Sequence, residues 1–300
     1  ITAPDVLSVT SGMVYSTSGT NTFAGGTLNF GTTPGVFWGT NTANNTSAIT
    51  GSQGLINGSG TLTLAGNLAG LTGMLTVNSG TVNLNTATFT GPAEVRSGSL
   101  SLGVSQTNLG TVLLGVPEQD PNLLGTVPSL SISSAGANST LNANLVVDNG
   151  TLSLAGNPFT AFPTLSPLSN STGSQTWSGN ILLNTPLNLQ GGGGSGTGAT
   201  NFTGTISGPA LWRISNGRVN LQPGSVLSNA GGIFLGNGGF TGILSLPGSA
   251  TGNAPITINF GNNTSLSYAG ASSIPSGPIT TLGGTTGNSA PRIAPLSSST

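Results

Sequence analysis

The residues that could carry chemistry in this chain are few, and the acidic pair Glu118 and Asp120 is the most suggestive. On an extended segment, residues two positions apart face the same side. Two neighbouring carboxylates can act in glycoside hydrolysis or, with backbone carbonyls, hold Ca²⁺. The pair lies in Val116-Pro-Glu-Gln-Asp-Pro-Asn122, whose two prolines indicate a projecting loop. A solvated loop explains the pair better than catalysis or calcium binding does.

The rest of the composition excludes most catalytic and metal sites. The chain has no Cys, His or Lys, which removes Ser-His-Asp catalysis, the usual zinc sites and Schiff-base chemistry. Its charged residues are Asp5, Glu94, Glu118, Asp120, Asp148, Arg96, Arg213, Arg218 and Arg292, with a net charge of −1. This balance offers no basic surface for nucleic acid. We therefore predict a protein that is not an enzyme, without catalytic, cofactor-binding or metal-binding residues.

Uncharged side chains leave two further possibilities for recognition. Aromatic residues could stack on sugars, although we expect them in the core or at sheet edges; they are Trp38, Trp177, Trp212, Tyr15 and Tyr268. Thr-x-Thr pairs are typical of ice-binding faces, and they occur at Thr20/Thr22, Thr40/Thr42, Thr61/Thr63 and Thr86/Thr88. An ice-binding face needs a regular ladder, and these pairs are unevenly spaced, so the sequence does not favour ice binding.

Strands must position all of these side chains, because period-two alternation dominates the chain. The clearest stretch is Gly58-Ser-Gly-Thr-Leu-Thr-Leu-Ala-Gly-Asn67 with its continuation Leu71-Thr-Gly-Met-Leu-Thr-Val-Asn-Ser-Gly-Thr-Val-Asn-Leu84. Aliphatic residues there alternate with Thr and Asn, the pattern of half-buried strands. Gly-Thr/Ser-Leu/Val recurs at Gly60, Gly80, Gly98 and Gly110, and a coil of about 20 residues lies in the solenoid range. No amphipathic helix is convincing, so we predict an all-β protein.

A sharper motif leaves two architectures open. It consists of an aliphatic residue, one outward residue, Ser or Asn, Gly, one residue and a second aliphatic residue. The copies are Val77–Val82, Val95–Leu100, Val147–Leu152 and Ile214–Val219. Ser/Asn-Gly between strands is a strong hairpin signal, which favours an antiparallel β-sandwich. The same six residues can form a corner of a right-handed parallel β-helix, and the coil of about 20 residues favours this β-solenoid.

The pattern predicts three regions along the chain. Residues 1–56 read as an N-terminal β cap, and residues 57–270 as solenoid repeats. Pro-, Ser- or Gly-rich insertions interrupt the repeats near 116–128, 157–176 and 191–198. Residues 271–300 read as an arm or linker. No apolar run approaches the ~20 residues of a membrane helix, so we predict no membrane span. The start at Ile1 indicates a processed end or an excised fragment.

Residues 58–84 resemble the autotransporter-associated β-strand repeat of bacterial surface proteins. The matching residues are Gly58, Gly60-Thr-Leu-Thr-Leu64, Gly66-Asn67, Gly73, Leu75-Thr-Val77 and Gly80-Thr-Val-Asn-Leu84, with looser matches at 150–157 and 202–221. The resemblance implies a right-handed parallel β-helix that is exported and displayed on, or released from, a bacterial cell. It implies no catalytic residues. The chain departs from that family because it lacks a recognisable C-terminal membrane barrel and the usual acidic and Lys content.

These observations predict a non-enzymatic extracellular structural protein, a self-assembling subunit of a bacterial surface filament, sheath or layer. The expected partner is a further copy of the chain, because a nearly uncharged Thr/Ser/Asn surface offers little repulsion between copies. The first alternative is an adhesin whose insertions contact surface glycans. The second is a carbohydrate-active β-helix enzyme that uses Glu118 and Asp120.

Overall fold

Every regular element that the structure describes is a β-strand, and every pairing between strands is parallel. The structure is a computed structural model that describes residues 6–9, 13–16, 19–115, 129–132, 139–147, 164–167, 175–190, 199–236, 242–246, 250–259, 264–268, 276–283 and 291–295. The chain winds as a right-handed parallel β-helix, as predicted. Successive strands belong in turn to three faces, here called face 1, face 2 and face 3.

Face 1 is an 11-stranded sheet that runs through most of the described length. In chain order its strands are β2 (Met13–Ser16), β5 (Gly35–Gly39), β8 (Leu55–Asn57), β11 (Leu75–Val77), β13 (Ala93–Val95), β15 (Val112–Leu114), β18 (Leu145–Val147), β21 (Ile181–Leu183), β24 (Thr205–Ser207), β26 (Val226–Leu227) and β29 (Thr251–Gly252).

Face 2 follows face 1 in each coil up to β30 and also extends along the helix axis. Its strands are β3 (Thr20–Phe23), β6 (Thr42–Asn45), β9 (Thr61–Leu64), β12 (Thr81–Leu84), β14 (Ser99–Leu102), β16 (Ser129–Ile132), β19 (Thr164–Pro167), β22 (Leu187–Gln190), β25 (Trp212–Leu221), β27 (Ile233–Leu235), β30 (Ile256–Ile258) and β32 (Ile279–Thr281). The long strand β25 turns the corner, because its first half pairs on face 2 and its second half on face 3.

Face 3 completes each coil and is interrupted in the middle. Its first part contains β1 (Val6–Ser8), β4 (Thr27–Asn29), β7 (Ala48–Gly51) and β10 (Gly70–Leu71). Its second part contains β17 (Ser139–Leu141), β20 (Gln175–Trp177), β23 (Thr200–Phe202), the end of β25, β28 (Gly242–Leu246), β31 (Ser265–Tyr268) and β33 (Arg292–Pro295). Both parts occupy the same place in the coil, between a strand of face 2 and the next strand of face 1.

The core forms because each strand turns alternate residues inward. In β9 and β12 the buried residues are Leu62, Leu64, Val82 and Leu84, all of them 0% exposed. They stack in register, Leu62 on Val82 and Leu64 on Leu84, so each rung covers the apolar side chains of the one before. Burial of such side chains contributes roughly 1.5–3 kcal/mol each. The alternation read from the sequence is therefore the packing pattern of the solenoid interior.

The antiparallel alternative is wrong for the described residues. The segment Val77–Val82 would be a hairpin if β11 paired with β12, but β11 pairs with β8 and β13, and β12 pairs with β9 and β14. Ser-Gly at 79–80 is thus the corner between face 1 and face 2. The corner reading also holds for the copies at 95–100 and 214–219, whereas much of the copy at 147–152 lies outside the described residues.

A glutamine side chain bridges the coils where face 3 is interrupted. Residues 85–92 and 103–111 contain no strand. Gln106, which is 1% exposed, donates from Nε2 to the Ala87 carbonyl at 2.9 Å. Its Oε1 accepts the Phe89 N–H at 3.0 Å, and its own backbone carbonyl accepts the Asn142 N–H at 2.9 Å. The amide therefore satisfies backbone groups that a strand would otherwise pair.

The parallel pairing extends beyond the predicted repeat region. Strands β1 to β8 already pair as coils before residue 57, and β32 and β33 pair with β30 and β31 after residue 270. The three-part division itself stays a prediction. Within the predicted insertion 157–176, residues Thr164–Pro167 form the face 2 strand β19 between β16 and β22. The composition of this segment is typical of a loop, but it forms a strand because β16 and β22 offer backbone hydrogen bonds on both sides.

No helix among the described residues is long and apolar enough to cross a membrane.

Candidate functional surface

The predicted acidic pair lies outside the described residues. Glu118 and Asp120 fall in the gap 116–128, so the hypotheses of carboxylate catalysis and calcium binding there stay predictions. Among the residues that the structure describes, no three or more Asp, Glu, His or Cys side chains come together as a potential metal site. The candidate functional features are therefore surfaces formed by the three faces.

Two of the three tryptophans lie in the core. Trp177 is 1% exposed, and its indole Nε1 donates to the Ala143 carbonyl at 2.9 Å. Its ring stacks on Phe202 with centroids 6.2 Å apart, and Phe202 meets Trp212 edge to face at 5.3 Å. Trp212 is 0% exposed. Both indoles pack the interior, as expected, and neither can stack on a sugar at the surface.

Trp38 is the exposed tryptophan, with 46% of its surface accessible. It lies on the outside of face 1, where its indole covers the backbone of Gly58 on the next rung; a Cβ at Gly58 would overlap the indole carbon Cε3. Tyr268 is half-buried against the core, and the side chain of Tyr15 lies outside the described part of the chain. Among the aromatic side chains that the structure describes, Trp38 alone is exposed, so this part of the surface presents no group of rings that could stack on a sugar.

The outer side of face 2 carries a regular array of small polar side chains, which we call the hydroxyl ladder. Its first column occupies Thr20, Thr42, Thr61, Thr81 and Ser99, and its second column occupies Thr22, Asn44, Thr63, Asn83 and Ser101. The backbone register continues the first column to Ser129 and Thr164 and the second to Ser131 and Ser166. Every position is Thr, Ser or Asn and none is charged. Register places each residue directly beside its counterpart on the next rung.

The spacing of the hydroxyl ladder follows from the geometry of the sheet. Neighbouring strands lie about 4.8 Å apart, and residues two positions apart on one strand are separated by roughly 6.6 Å. The residues between the columns point inward, and those of β9, β12 and β14 are fully buried. The ladder is therefore a rigid two-dimensional grid of hydroxyl and amide groups attached to a packed core.

The character of face 2 changes on the strands that follow Thr164. In the first column Thr164 is followed by Asn188, then by Arg213 and Phe234. Asn188 is 9% exposed and Arg213 only 2% exposed, although both occupy outward positions. Burial lowers the pKa of the Arg213 guanidinium. The uncharged open grid therefore belongs to the N-terminal half of face 2.

Face 1 has a different outer column. The residues in register are Val36, Ile56, Thr76, Glu94, Leu113, Val146 and Leu182. Leu182 is 39% exposed, whereas Glu94 in the middle is only 6% exposed. Arg96 donates from Nε to the Glu94 carboxylate at 2.9 Å, which keeps the buried carboxylate paired. The mainly apolar column on face 1 shows that the uniform polarity of the hydroxyl ladder is not shared by every face.

Only part of the hydroxyl ladder is apparent from the Thr-x-Thr pairs in the sequence. Thr20/Thr22 and Thr61/Thr63 do belong to it, and Thr42 occupies the first column. Thr40 and the pair Thr86/Thr88 lie outside the face 2 strands. The Thr-x-Thr pairs are unevenly spaced along the sequence, but the array on face 2 is regular, because Asn44, Asn83 and the serines fill the positions between the pairs and because turns absorb the uneven spacing. Counting Thr, Ser and Asn together at alternate positions would have found the ladder.

Comparison of the chain with protein-family models, with curated proteins and with solved structures found no match. The resemblance to the autotransporter-associated repeat thus stays a prediction from the residues of 58–84.

Proposed function

We propose that this protein is a non-enzymatic extracellular structural protein, a self-assembling subunit of a bacterial surface filament, sheath or layer. The observation that supports the proposal is the parallel ladder of face 2 together with the uncharged outer surface of its N-terminal half. Extracellular display on a bacterium rests on the resemblance of residues 58–84, and self-assembly rests on the geometry. The adhesin and glycosidase alternatives depend on segments largely outside the described residues and stay predictions.

Two copies can come together through the hydroxyl ladder at a low cost in free energy. Charged surfaces resist association through repulsion and through the loss of strongly hydrated charges. The hydroxyl ladder contains no charge at all, and the chain has only four arginines and five acidic residues. Hydroxyl and amide groups can exchange hydrogen bonds with water for hydrogen bonds with an identical grid. A rigid grid also loses little conformational entropy on association.

Negative-stain electron microscopy of the purified chain at neutral pH tests this proposal, together with light scattering after size exclusion. Ordered fibres, sheets or rods longer than one copy are the expected result. Thr81→Lys places one positive charge on the ladder and should weaken assembly, and Thr280→Lys, at an exposed outward position of the face 2 strand β32, is the matched control. A wild-type chain that stays monomeric at high concentration overturns the proposal.

Ice binding is a second candidate, which the observed regularity of the hydroxyl ladder favours. Binding to an ice surface requires a flat, rigid, uncharged grid whose hydroxyl groups repeat in two dimensions. The first five rungs provide such a grid, with Thr20 and Thr22 exposed and the other outward residues half-buried. Thermal hysteresis and inhibition of ice recrystallisation are the appropriate measurements. Activity that Thr61→Lys removes and Thr280→Lys preserves supports this candidate, and a wild-type chain without either effect excludes it.

A further inference from the structure

The N-terminal half of face 1 presents apolar side chains to solvent. Its outer column begins with Val36 and Ile56, which are both half-buried. Trp38 occupies the next outward position on β5 and is 46% exposed, and Met74, just before β11, is 39% exposed. Aromatic residues and Met are enriched in protein–protein interfaces relative to the rest of a protein surface. This part of face 1 therefore has the composition of a protein-binding surface.

A second outer column runs beside the first, two residues further along each strand. The backbone ladder holds the two columns in register from rung to rung. On successive rungs the neighbours are Val36 with Trp38, Ile56 with Gly58, Thr76 with Asn78 and Glu94 with Arg96. Glu94 and Arg96 are the only charged residues of the two columns over these rungs. The surface is thus apolar at β5 and β8 and carries one ion pair at β13.

We propose that this surface binds the same surface of a second copy, across a two-fold axis that runs parallel to the solenoid axis between the two columns. The proposal deepens the proposed function, on which it rests, by naming a contact between subunits. The rotation keeps each rung at its own height and exchanges the columns. Val36 would then face Trp38 of the second copy. Ile56 would face the same indole, because that indole covers the backbone of Gly58.

Charge complementarity selects this position of the axis. An axis centred on the first column would place Glu94 on Glu94 of the second copy, and like charges repel. An axis between the columns places each Arg96 on the Glu94 of the other copy. Glu94 is 6% exposed, so the Arg96 side chain, 39% exposed, would make most of this contact. Arginine has five N–H donors, of which Nε donates to Glu94 of its own copy at 2.9 Å.

The contact is small and closes on itself. From the spacing of strands and residues, the two columns cover on the order of 250 Å² per copy over these rungs. Stable complexes bury about 800 Å² per partner, so an isolated pair should be weak and reversible. An isologous contact joins two copies and no more. The hydroxyl ladder lies on face 2 and stays open in such a pair, so contacts between ladders would extend the pairs into a layer.

Complementary charge variants of the full chain test the proposal. All are made in the Thr81→Lys chain, in which the ladder contact is weakened, and are followed by sedimentation velocity over a series of concentrations. We expect the Thr81→Lys chain to form dimers reversibly. Adding Arg96→Glu or Glu94→Arg should raise the dissociation constant about tenfold or more, because like charges then meet across the axis. An equimolar mixture of the two charge variants should form dimers again.

Recovery in the mixture separates a contact between copies from a loss of stability. Both variants lose the ion pair within their own copy, and mixing does not restore that pair. Formation of the mixed dimer also shows that both variants are folded. Ile56→Lys tests the apolar part of the surface without touching the ion pair, and it should weaken the dimer as well. Thr280→Lys, exposed on face 2, is the matched control and should leave the dissociation constant unchanged.

The outcomes distinguish this contact from the proposed function. If the wild type assembles while the Thr81→Lys chain is monomeric at high concentration, the face 1 contact is wrong and self-assembly stands through the ladder. If Ile56→Lys dimerises as well as its parent, another surface holds the dimer and face 1 is again wrong. Charge variants that stay monomeric when mixed overturn the two-fold arrangement. Wild-type dimers that never grow larger overturn the proposed filament, sheath or layer but support the face 1 contact.

Discussion

Gly80 stacks directly on Gly60 at the corner between face 1 and face 2. Gly80 has a φ of 76°, and a Cβ there would overlap the carbonyl oxygen of Gly60. Gly98 stands on Gly80 in the same way. The corner therefore needs glycine for two reasons, a left-handed backbone and close approach of the next rung.

We predict that Gly80→Ala destabilises the protein more than a glycine substitution elsewhere does. The left-handed conformation alone costs about 1–2 kcal/mol for a residue with a Cβ, and the overlap with Gly60 adds to this cost. Gly224→Ala is the control, because Gly224 has a φ of 87° but nothing lies within 4 Å of its Cβ position. Urea unfolding followed by circular dichroism measures both. If both variants lose the same free energy of unfolding, the close contact between Gly80 and Gly60 adds nothing to the cost of the substitution.

The two buried tryptophans should respond differently to Trp→Phe substitution. Trp177→Phe removes the hydrogen bond from Nε1 to the Ala143 carbonyl and leaves that oxygen unpaired, at a cost of about 1–3 kcal/mol beyond the smaller ring. In Trp212 the Nε1 atom is buried without a hydrogen-bond partner among the described residues. Trp212→Phe should therefore cost only the loss of packing. Thermal unfolding compares the stability of the two variants. A larger loss of stability for Trp212→Phe than for Trp177→Phe would contradict the prediction.

Gln106→Leu should destabilise the coils where face 3 is interrupted. Leucine fills a volume similar to that of glutamine, but it cannot form hydrogen bonds. The Phe89 N–H and the Ala87 carbonyl therefore lose the partners that Gln106 supplies. Each buried unsatisfied group costs about 1–3 kcal/mol. Hydrogen exchange of the 85–92 amides is the most direct readout and should become faster. Gln222→Leu, at a half-buried surface position, serves as the control. Unchanged exchange would show that the side-chain bridge is dispensable.

Asn57→Asp should make stability depend on pH. Asn57 is 1% exposed and donates from Nδ2 to the Ser79 carbonyl at 2.9 Å, with the Gly60 carbonyl at 3.4 Å. A carboxylate facing carbonyl oxygens away from water has a raised pKa in the folded state. The folded protein then holds its proton at a higher pH than the unfolded chain does.

The sign of this effect follows from linkage. The Asn57→Asp variant should be least stable, relative to wild type, at pH 7 and should regain stability as the pH falls toward the ordinary pKa of aspartate, about 3.9. Unfolding curves at pH 7 and pH 5 measure the change. Asn83→Asp, on the half-exposed hydroxyl ladder, should show little pH dependence. A loss for Asn57→Asp that is the same at both pH values would contradict the prediction.

Local alternation of apolar and polar residues is enough to predict most strands and the side of each strand that faces inward. Leu62 and Leu64 alternate with Thr61 and Thr63 because one side of each strand faces an apolar core and the other faces water. The corner glycines could also be predicted from the sequence, because a left-handed turn residue is nearly always Gly or Asn. The composition alone, with no His, Cys or Lys, excluded Ser-His-Asp catalysis, the usual zinc sites and Schiff-base chemistry.

The pairing of the strands becomes apparent from the stacked coils and not from any single segment. Val77-Asn-Ser-Gly-Thr-Val82 satisfies a hairpin and a solenoid corner equally well, since both return two aliphatic residues to one interior. The choice depends on the rungs above and below, where β12 finds β9 and β14. The same stacking aligns Thr20, Thr42, Thr61 and Thr81 in one column despite their uneven spacing. Register is a property of neighbouring coils, because turns of different length can connect strands that stack at one constant spacing.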